Sequence, residues 1–118
     1  MPTPDRPIPI DTAADLQALV DEHPLVLLEF HTSGCTLCQS LEPVLGLVAR
    51  AADVAVATCN PRTDLSLVDR FAIRSVPTLV LLADGEEVGR LADGFQGTEA
   101  ILDFVEASRP ADALDFQH

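Results

Sequence analysis

The sequence predicts an α/β domain, a central mixed β-sheet flanked by helices on both faces. Three observations carry that expectation. Short, nearly unbroken apolar runs recur at Leu25–Phe30, Val54–Thr58 and Thr78–Ala83, as strands covered on both sides require. Stretches with apolar residues at helical spacing separate them, and helices between strands bring those strands together partly parallel. Asp84-Gly85, between the third run and Glu86–Leu91, is a strong hairpin signal and adds an antiparallel pair.

Taken in order, Asp11 or Thr12 can cap a first helix running to about Glu22, with Leu16, Leu19 and Val20 on one side. His23-Pro24 stops it, because the residue before a proline is pushed out of the helical region. Leu25–Phe30 follows as the first fully covered strand. The loop His31–Gly34 leads into a helix from about Cys35 to Arg50, where Leu37, Leu41, Val44, Leu45 and Val48 are the expected buried stripe and Pro43 the expected kink. Val54–Thr58 is the next strand, and a short helix is expected near Leu65–Phe71. Thr78–Ala83 and Glu86–Leu91 form the hairpin. A last helix over about Thr98–Ala107 faces inward through Ile101, Val105 and either Leu102 or Phe104. The order is (β)αβαβαββα.

At 118 residues the chain is one domain, 1–118, able to bury a core without disulfide staples. The core is expected at about 8–107. Residues 1–7 and 108–118, proline-interrupted at both ends, are expected to be loosely held unless they dock on something. A hydrophobic fraction of 47% excludes disorder for most of the length. No apolar run approaches the ~20 residues of a membrane span, and the opening MPTPDRP lacks the apolar region of a secretory signal, so a cytoplasmic protein is expected. Nineteen acidic residues against seven basic ones, all arginine, give a net charge of −12. The acids are dispersed and no basic patch is visible, so neither nucleic acid nor a membrane surface is an expected partner.

Three cysteines, Cys35, Cys38 and Cys59, are not a disulfide scaffold. Two of them form Cys-Thr-Leu-Cys at a strand-to-helix junction. There the Cys35 sulfur lies beside the unpaired N–H groups and positive dipole end of a helix, which favours thiolate. Cys38, three residues on, shares that helix face within disulfide reach, deeper along the helix. One exposed nucleophile and one buried resolving thiol are the asymmetry that thiol–disulfide exchange needs. Other readings stand beside this one. The pair is half a zinc site if Cys59 and a histidine join it, although no second CxxC or HxxxH exists. Two idle cysteines on a helix turn are the remaining case.

At these residues the chain resembles the thioredoxins. Phe30-His-Thr-Ser-Gly-Cys-Thr-Leu-Cys-Gln looks like that family's active-site segment, and Pro43 matches its helix proline. Ile73-Arg-Ser-Val-Pro-Thr looks like its segment ending in a cis-proline. Asp84-Gly85 matches its last hairpin, and Gly94 the glycine before its last helix. The resemblance spans roughly residues 8–107 and implies the thioredoxin fold. It implies a protein-disulfide reductase with Cys35 as nucleophile and Cys38 as resolving thiol. It also implies a cis Val76-Pro77 bond beside the sulfurs, and Ser75, Val76, Pro77, Gly34 and Gly94 as substrate-binding positions. Disulfide-containing proteins are the implied substrates, and a flavin-dependent, NADPH-using reductase the implied electron donor. No bound cofactor or metal is expected, because the sulfurs carry the electrons, and a monomer is expected. A non-catalytic interaction module with the same fold, or a metal or iron–sulfur protein, are the alternatives.

The departures from the family are as informative. Gly34 stands where thioredoxins have tryptophan, and Thr36-Leu37 where they have Gly-Pro. Glu29 occupies the family's buried aspartate position. Alternation puts it on a covered face, where burial raises its pKa and suits it to accept the Cys38 proton. The family's nearby lysine aligns with Thr58, and this chain has no lysine at all, so stronger neutralisation of Glu29 is expected. Cys59 reads as a small buried thiol pointing away from Thr58's side of the sheet, with a regulatory or dimer-forming thiol as the other reading. His31 reads as a loop histidine, and Arg74 as the one cation at the site rim.

Overall fold

The computed structural model describes residues 3–92, 94 and 96–110. Its elements are β1 (Ile8–Ile10), α1 (Ala13–Glu22), β2 (Leu25–Phe30), α2 (Thr36–Ala51), β3 (Ala55–Cys59), a 3-10 turn (Pro61–Thr63), α3 (Leu65–Phe71), β4 (Thr78–Ala83), β5 (Glu86–Leu91) and α4 (Thr98–Ser108). The strands form one sheet in the order β1-β3-β2-β4-β5. β1 and β2 pair parallel to β3, whereas β4 is antiparallel to β2 and to β5. This is the mixed α/β sheet that the apolar runs and the hairpin signal predict. N-terminal Ile8–Ile10 docks on β3 as an edge strand. For residues 111–118, the expectation of a loosely held end lies outside the described residues.

Local chemistry accounts for the element ends. Thr12 caps α1: its hydroxyl accepts the Asp15 N–H at 3.1 Å, and the Asp15 carboxylate accepts the Thr12 N–H at 3.2 Å in return. Asp84 and Gly85 both have positive φ, 51° and 85°, as the tight turn between β4 and β5 demands. Gly89 in β5 is a close-approach position, since a Cβ there would lie 2.6 Å from the Ser108 hydroxyl and 3.0 Å from the Phe104 ring. Arg90 ties that edge inward, forking onto Glu87 at 2.7 and 2.8 Å and donating to the Phe71 carbonyl at 2.6 Å.

The sheet separates two apolar layers. On one face Val26, Leu28, Phe30, Ala55, Ala57, Cys59, Val80 and Leu82 meet α1 and α3 through Leu16, Leu19, Leu67 and Phe71. On the other, Leu25, Leu27, Val56, Leu79 and Leu81 meet α2 and α4 through Leu41, Leu45, Val48, Ile101 and Val105. All six residues of β2 are buried, so the strand leading to the cysteines is also the centre of the core. The α2 stripe differs from the expected one at its first turn. Leu37 is 46% exposed and Cys38 is buried in its place. In the first turn of α2 the covered position is thus Cys38, one residue on from Leu37.

Candidate active site

Strand direction gathers the candidate residues at one end of the sheet. β2 and β3 end there at Phe30 and Cys59, β4 begins there at Thr78 opposite Phe30, and β5 ends there at Leu91 opposite Leu79. The loops that follow or precede these residues carry His31–Cys35, Ser75–Pro77 and Gly94. In sheets of this kind the chemistry sits at the carboxyl ends of the parallel strands.

Cys35 is the N-cap of α2, with extended backbone, φ −92° and ψ 110°. Its sulfur accepts the Cys38 N–H at 3.0 Å, filling the place that a serine or aspartate oxygen takes at other helix starts. Its own N–H donates to the Thr32 carbonyl at 3.3 Å, which closes the loop. Cys35 is half-buried and Cys38 only 3% exposed. The two are joined as a disulfide with Cα atoms 5.2 Å apart, within the ordinary range for such a bond. Cys35 is therefore the more accessible of the two and Cys38 the buried one, although Cys35 is half-buried rather than exposed as the motif suggested.

Val76-Pro77 is a cis peptide bond. Pro77 is buried, Ser75 and Arg74 are exposed, and the Thr78 hydroxyl donates to the Ser75 carbonyl at 2.7 Å, which fixes the segment against the start of β4. Gly34 is exposed, and a Cβ there would meet nothing within 4 Å, so the surface is open where the family carries tryptophan. Gly94 has φ +84°, and its missing Cβ would lie 3.6 Å from the Leu37 methyl, so Gly94 borders the exposed turn between the cysteines.

Glu29 is 1% exposed, and its Oε2 has no hydrogen-bond partner. Its neighbours across the sheet are Thr58 on β3 and Leu79 on β4, neither of them charged. Burial, with a smaller push from the negative charge of Glu42, raises its pKa to about 7. Glu29 thus lies on the covered face, as alternation along the strand predicts. Cys59 lies on the opposite face, 1% exposed, its thiol directed to the Asn60 carbonyl at 3.6 Å and its pKa raised, chiefly by burial. Among the described residues, no group of three or more His, Cys, Asp or Glu is placed to hold a metal ion.

Two features of the site escaped the sequence reading. One is the exposed Leu37, for which the periodicity pointed the wrong way. The other is the influence of Glu42 on Glu29, which the spacing Cys38-x-x-x-Glu42 could have flagged, since residues four apart share a helix face.

Comparison with known proteins agrees with this geometry. The thioredoxin family model matches residues 8–107. A thioredoxin from Mycobacterium tuberculosis is 37% identical over 79 residues, spanning 65% of this chain and 67% of its own. One from Alicyclobacillus acidocaldarius is 35% identical over 92 residues, spanning 76% and 87%. Among solved structures, a mutant thioredoxin from Halobacterium salinarum superposes with a TM-score of 0.86 at 34% identity, covering 93% of this chain and 96% of that one. Among the described residues no helix is long and apolar enough to cross a membrane. With a disulfide-forming CxxC pair at the start of α2 and family likeness across nearly the whole fold, the chain belongs to the thioredoxin family and is a thiol–disulfide oxidoreductase acting on protein disulfides.

Proposed function

We propose that Cys35 is the attacking nucleophile, Cys38 the resolving thiol and Glu29 the proton acceptor between them. The observation that carries this reading is the position of Cys35 as N-cap of α2, its sulfur accepting the Cys38 N–H. In the reduced protein the same N–H and the helix dipole favour a thiolate at Cys35. That thiolate attacks one sulfur of a partner disulfide. The partner's S–S bond breaks, and its other sulfur leaves with the electron pair and takes up a proton. Within the mixed disulfide, Cys38 gives its proton to the Glu29 carboxylate and attacks the Cys35 sulfur. The partner's second thiolate leaves, and the Cys35–Cys38 disulfide remains. Two electrons have passed from the dithiol to the partner.

Ser75, Val76 and Pro77 offer backbone to an extended partner segment, a small case of strand addition, with Gly34 and Gly94 at the rim. A flavin-dependent, NADPH-using reductase returns the pair to the dithiol in the cytoplasm. No bound cofactor enters this scheme, because the sulfurs carry the electrons. A monomer suffices, because both cysteines and Glu29 come from one chain.

The test is a redox titration in defined thiol/disulfide buffers, with free thiols trapped and counted by mass spectrometry. A reversible two-thiol transition near ~−270 mV supports a reductase, whereas one near ~−120 to −180 mV assigns an oxidant or isomerase. Failure of the Cys35–Cys38 disulfide to form in any buffer would overturn the redox role itself.

A further inference from the structure

Among the described residues, the large apolar side chains that stand exposed are Leu37, Leu47, Leu65 and Val88. A single exposed leucine is ordinary on a protein surface. Leu37 differs from the other three by its place, between the two redox cysteines, and by what it rests on. A Cβ at Gly94 would lie 3.6 Å from the Leu37 methyl, an ordinary van der Waals distance, so Gly94 backs the leucine on one side. Its other side is open to water. In the sheet order β2-β4-β5, the Ser75–Pro77 segment before β4 lies between the loop after β2 and Gly94 after β5. The contact of Leu37 with Gly94 therefore runs alongside the cis-proline segment.

The surroundings are uncharged. His31–Leu41 contains no Asp, Glu, Lys or Arg, in a chain with nineteen acids, and Arg74 is the one charge within Ile73–Pro77. In a mixed disulfide the partner's cysteine Cα lies about 4.4–6.8 Å from that of Cys35. Its neighbours in the partner chain stand about 3.8 Å farther on. Leu37, two residues from Cys35, is thus within a side chain's reach of the residues that flank the attacked cysteine. Because Gly94 already holds it on one side, covering the open side orders little more, and the apolar area removed from water favours an apolar neighbour.

We propose that Leu37 is a specificity-determining residue for the exchange. With Gly94 behind it, it makes an apolar contact that selects protein disulfides whose cysteine is flanked by a large apolar side chain. This rests on the reading that partner segments lie along Ser75–Pro77 and join Cys35. The selection acts on the partner's side chains, not on the sulfur chemistry, so it adds to whatever Thr36-Leu37 does to the reactivity of the thiols.

Two short peptides test this, each with a single cysteine oxidised to the symmetrical dimer, one with leucine and one with serine on both sides of that cysteine. Reduced full-length wild type, Leu37→Ala and Leu37→Met react with each, and quenched samples are counted by mass spectrometry after their thiols are trapped. Position 37 is exposed, so both variants should fold, and far-UV circular dichroism checks that they do. A substitution between the cysteines also changes thiol reactivity, but it does so toward both peptides. The readout is therefore the ratio of second-order rate constants, leucine peptide over serine peptide. That ratio is expected to fall about fivefold in Leu37→Ala and to stay within about twofold of wild type in Leu37→Met. A merely structural role for Leu37 would change both rates and leave the ratio where it was. Equal ratios in wild type and Leu37→Ala, or a Leu37→Met ratio as low as that of Leu37→Ala, overturn the proposal and leave the roles of the cysteines standing. In Cys38→Ser each peptide should be trapped as a mixed disulfide on Cys35. No capture there overturns the reading of Cys35 as nucleophile, and the role of Leu37 with it.

Discussion

The two faces of the sheet each bury a thiol, and the thiols have different surroundings. On the α1/α3 face Cys59 sits among Val26, Leu28, Phe30 and Phe71, its pKa pushed up chiefly by burial and its hydrogen directed to a carbonyl. On the α2/α4 face Cys38 is equally hidden, but it lies three residues from a helix N-cap sulfur, and the sheet beneath α2 carries a buried carboxyl. Burial alone makes a cysteine inert. Burial next to a second sulfur, at a helix start with an acid on the same side of the sheet, gives it chemistry. One face therefore stores stability, and the other gives some up.

The sharpest break in that comparison is to exchange the thiols' roles by mutation. Cys35→Ser or Cys38→Ser is expected to reduce turnover of a disulfide substrate by at least about 10³-fold, roughly 4 kcal/mol of barrier. Cys59→Ala should leave turnover within about twofold, with a loss of about 1 kcal/mol in stability from the small void. Steady-state reduction of insulin disulfides and urea melts of the same proteins check both. A Cys59→Ala protein with crippled turnover would mean that the apolar face takes part in the chemistry.

Truncation sharpens the comparison next. Leu28→Ala, at a fully buried position on the apolar face, should cost about 2–5 kcal/mol at every pH. Leu37→Ala, in the turn between the redox cysteines, should cost less than about 0.5 kcal/mol, since the side chain is 46% exposed. Chemical denaturation of both variants decides it. A large loss at Leu37 would return it to the buried stripe.

That pair of leucines also marks where sequence reading stops. The LVLLEF run, the Asp84-Gly85 turn and the cap at Thr12 are local: composition and spacing within a few residues specify them, and the structure has all three. Leu37 fails because helical periodicity says which residues share a face, not how far along the helix the covering sheet extends. The link from the Asp64 carboxylate to the Ala13 N–H, 2.9 Å long across 51 residues, lies outside any local pattern for the same reason. At the site, the cysteine pair and Glu29 were legible because strand and helix contexts are local. The effect of Glu42 on Glu29 joins a helix to a strand, so helical spacing from Cys38 could point to Glu42 but not tie it to Glu29.

Glu29 provides the subtler contrast between the faces, because its effect on stability depends on pH. Its pKa is raised from an ordinary 4.5 to about 7 in the folded protein. Between those values the folded state holds a proton that the unfolded chain has released. The contribution of this site to stability is therefore greatest below about pH 4.5 and declines as pH rises through the folded-state value. A rise of that size corresponds to about 3 kcal/mol, to order of magnitude. Glu29→Gln cannot titrate, so the stability difference between variant and wild type should shift in the variant's favour by about that amount from pH 4.5 to pH 8, as measured by urea denaturation. Other carboxylates are common to both proteins and cancel. The absolute offset between the curves reflects how well an amide fits the site, so only the change in the gap with pH bears on the argument. Parallel curves would mean that Glu29 titrates alike in both states, and the face carrying the cysteines would then bury its acid without cost.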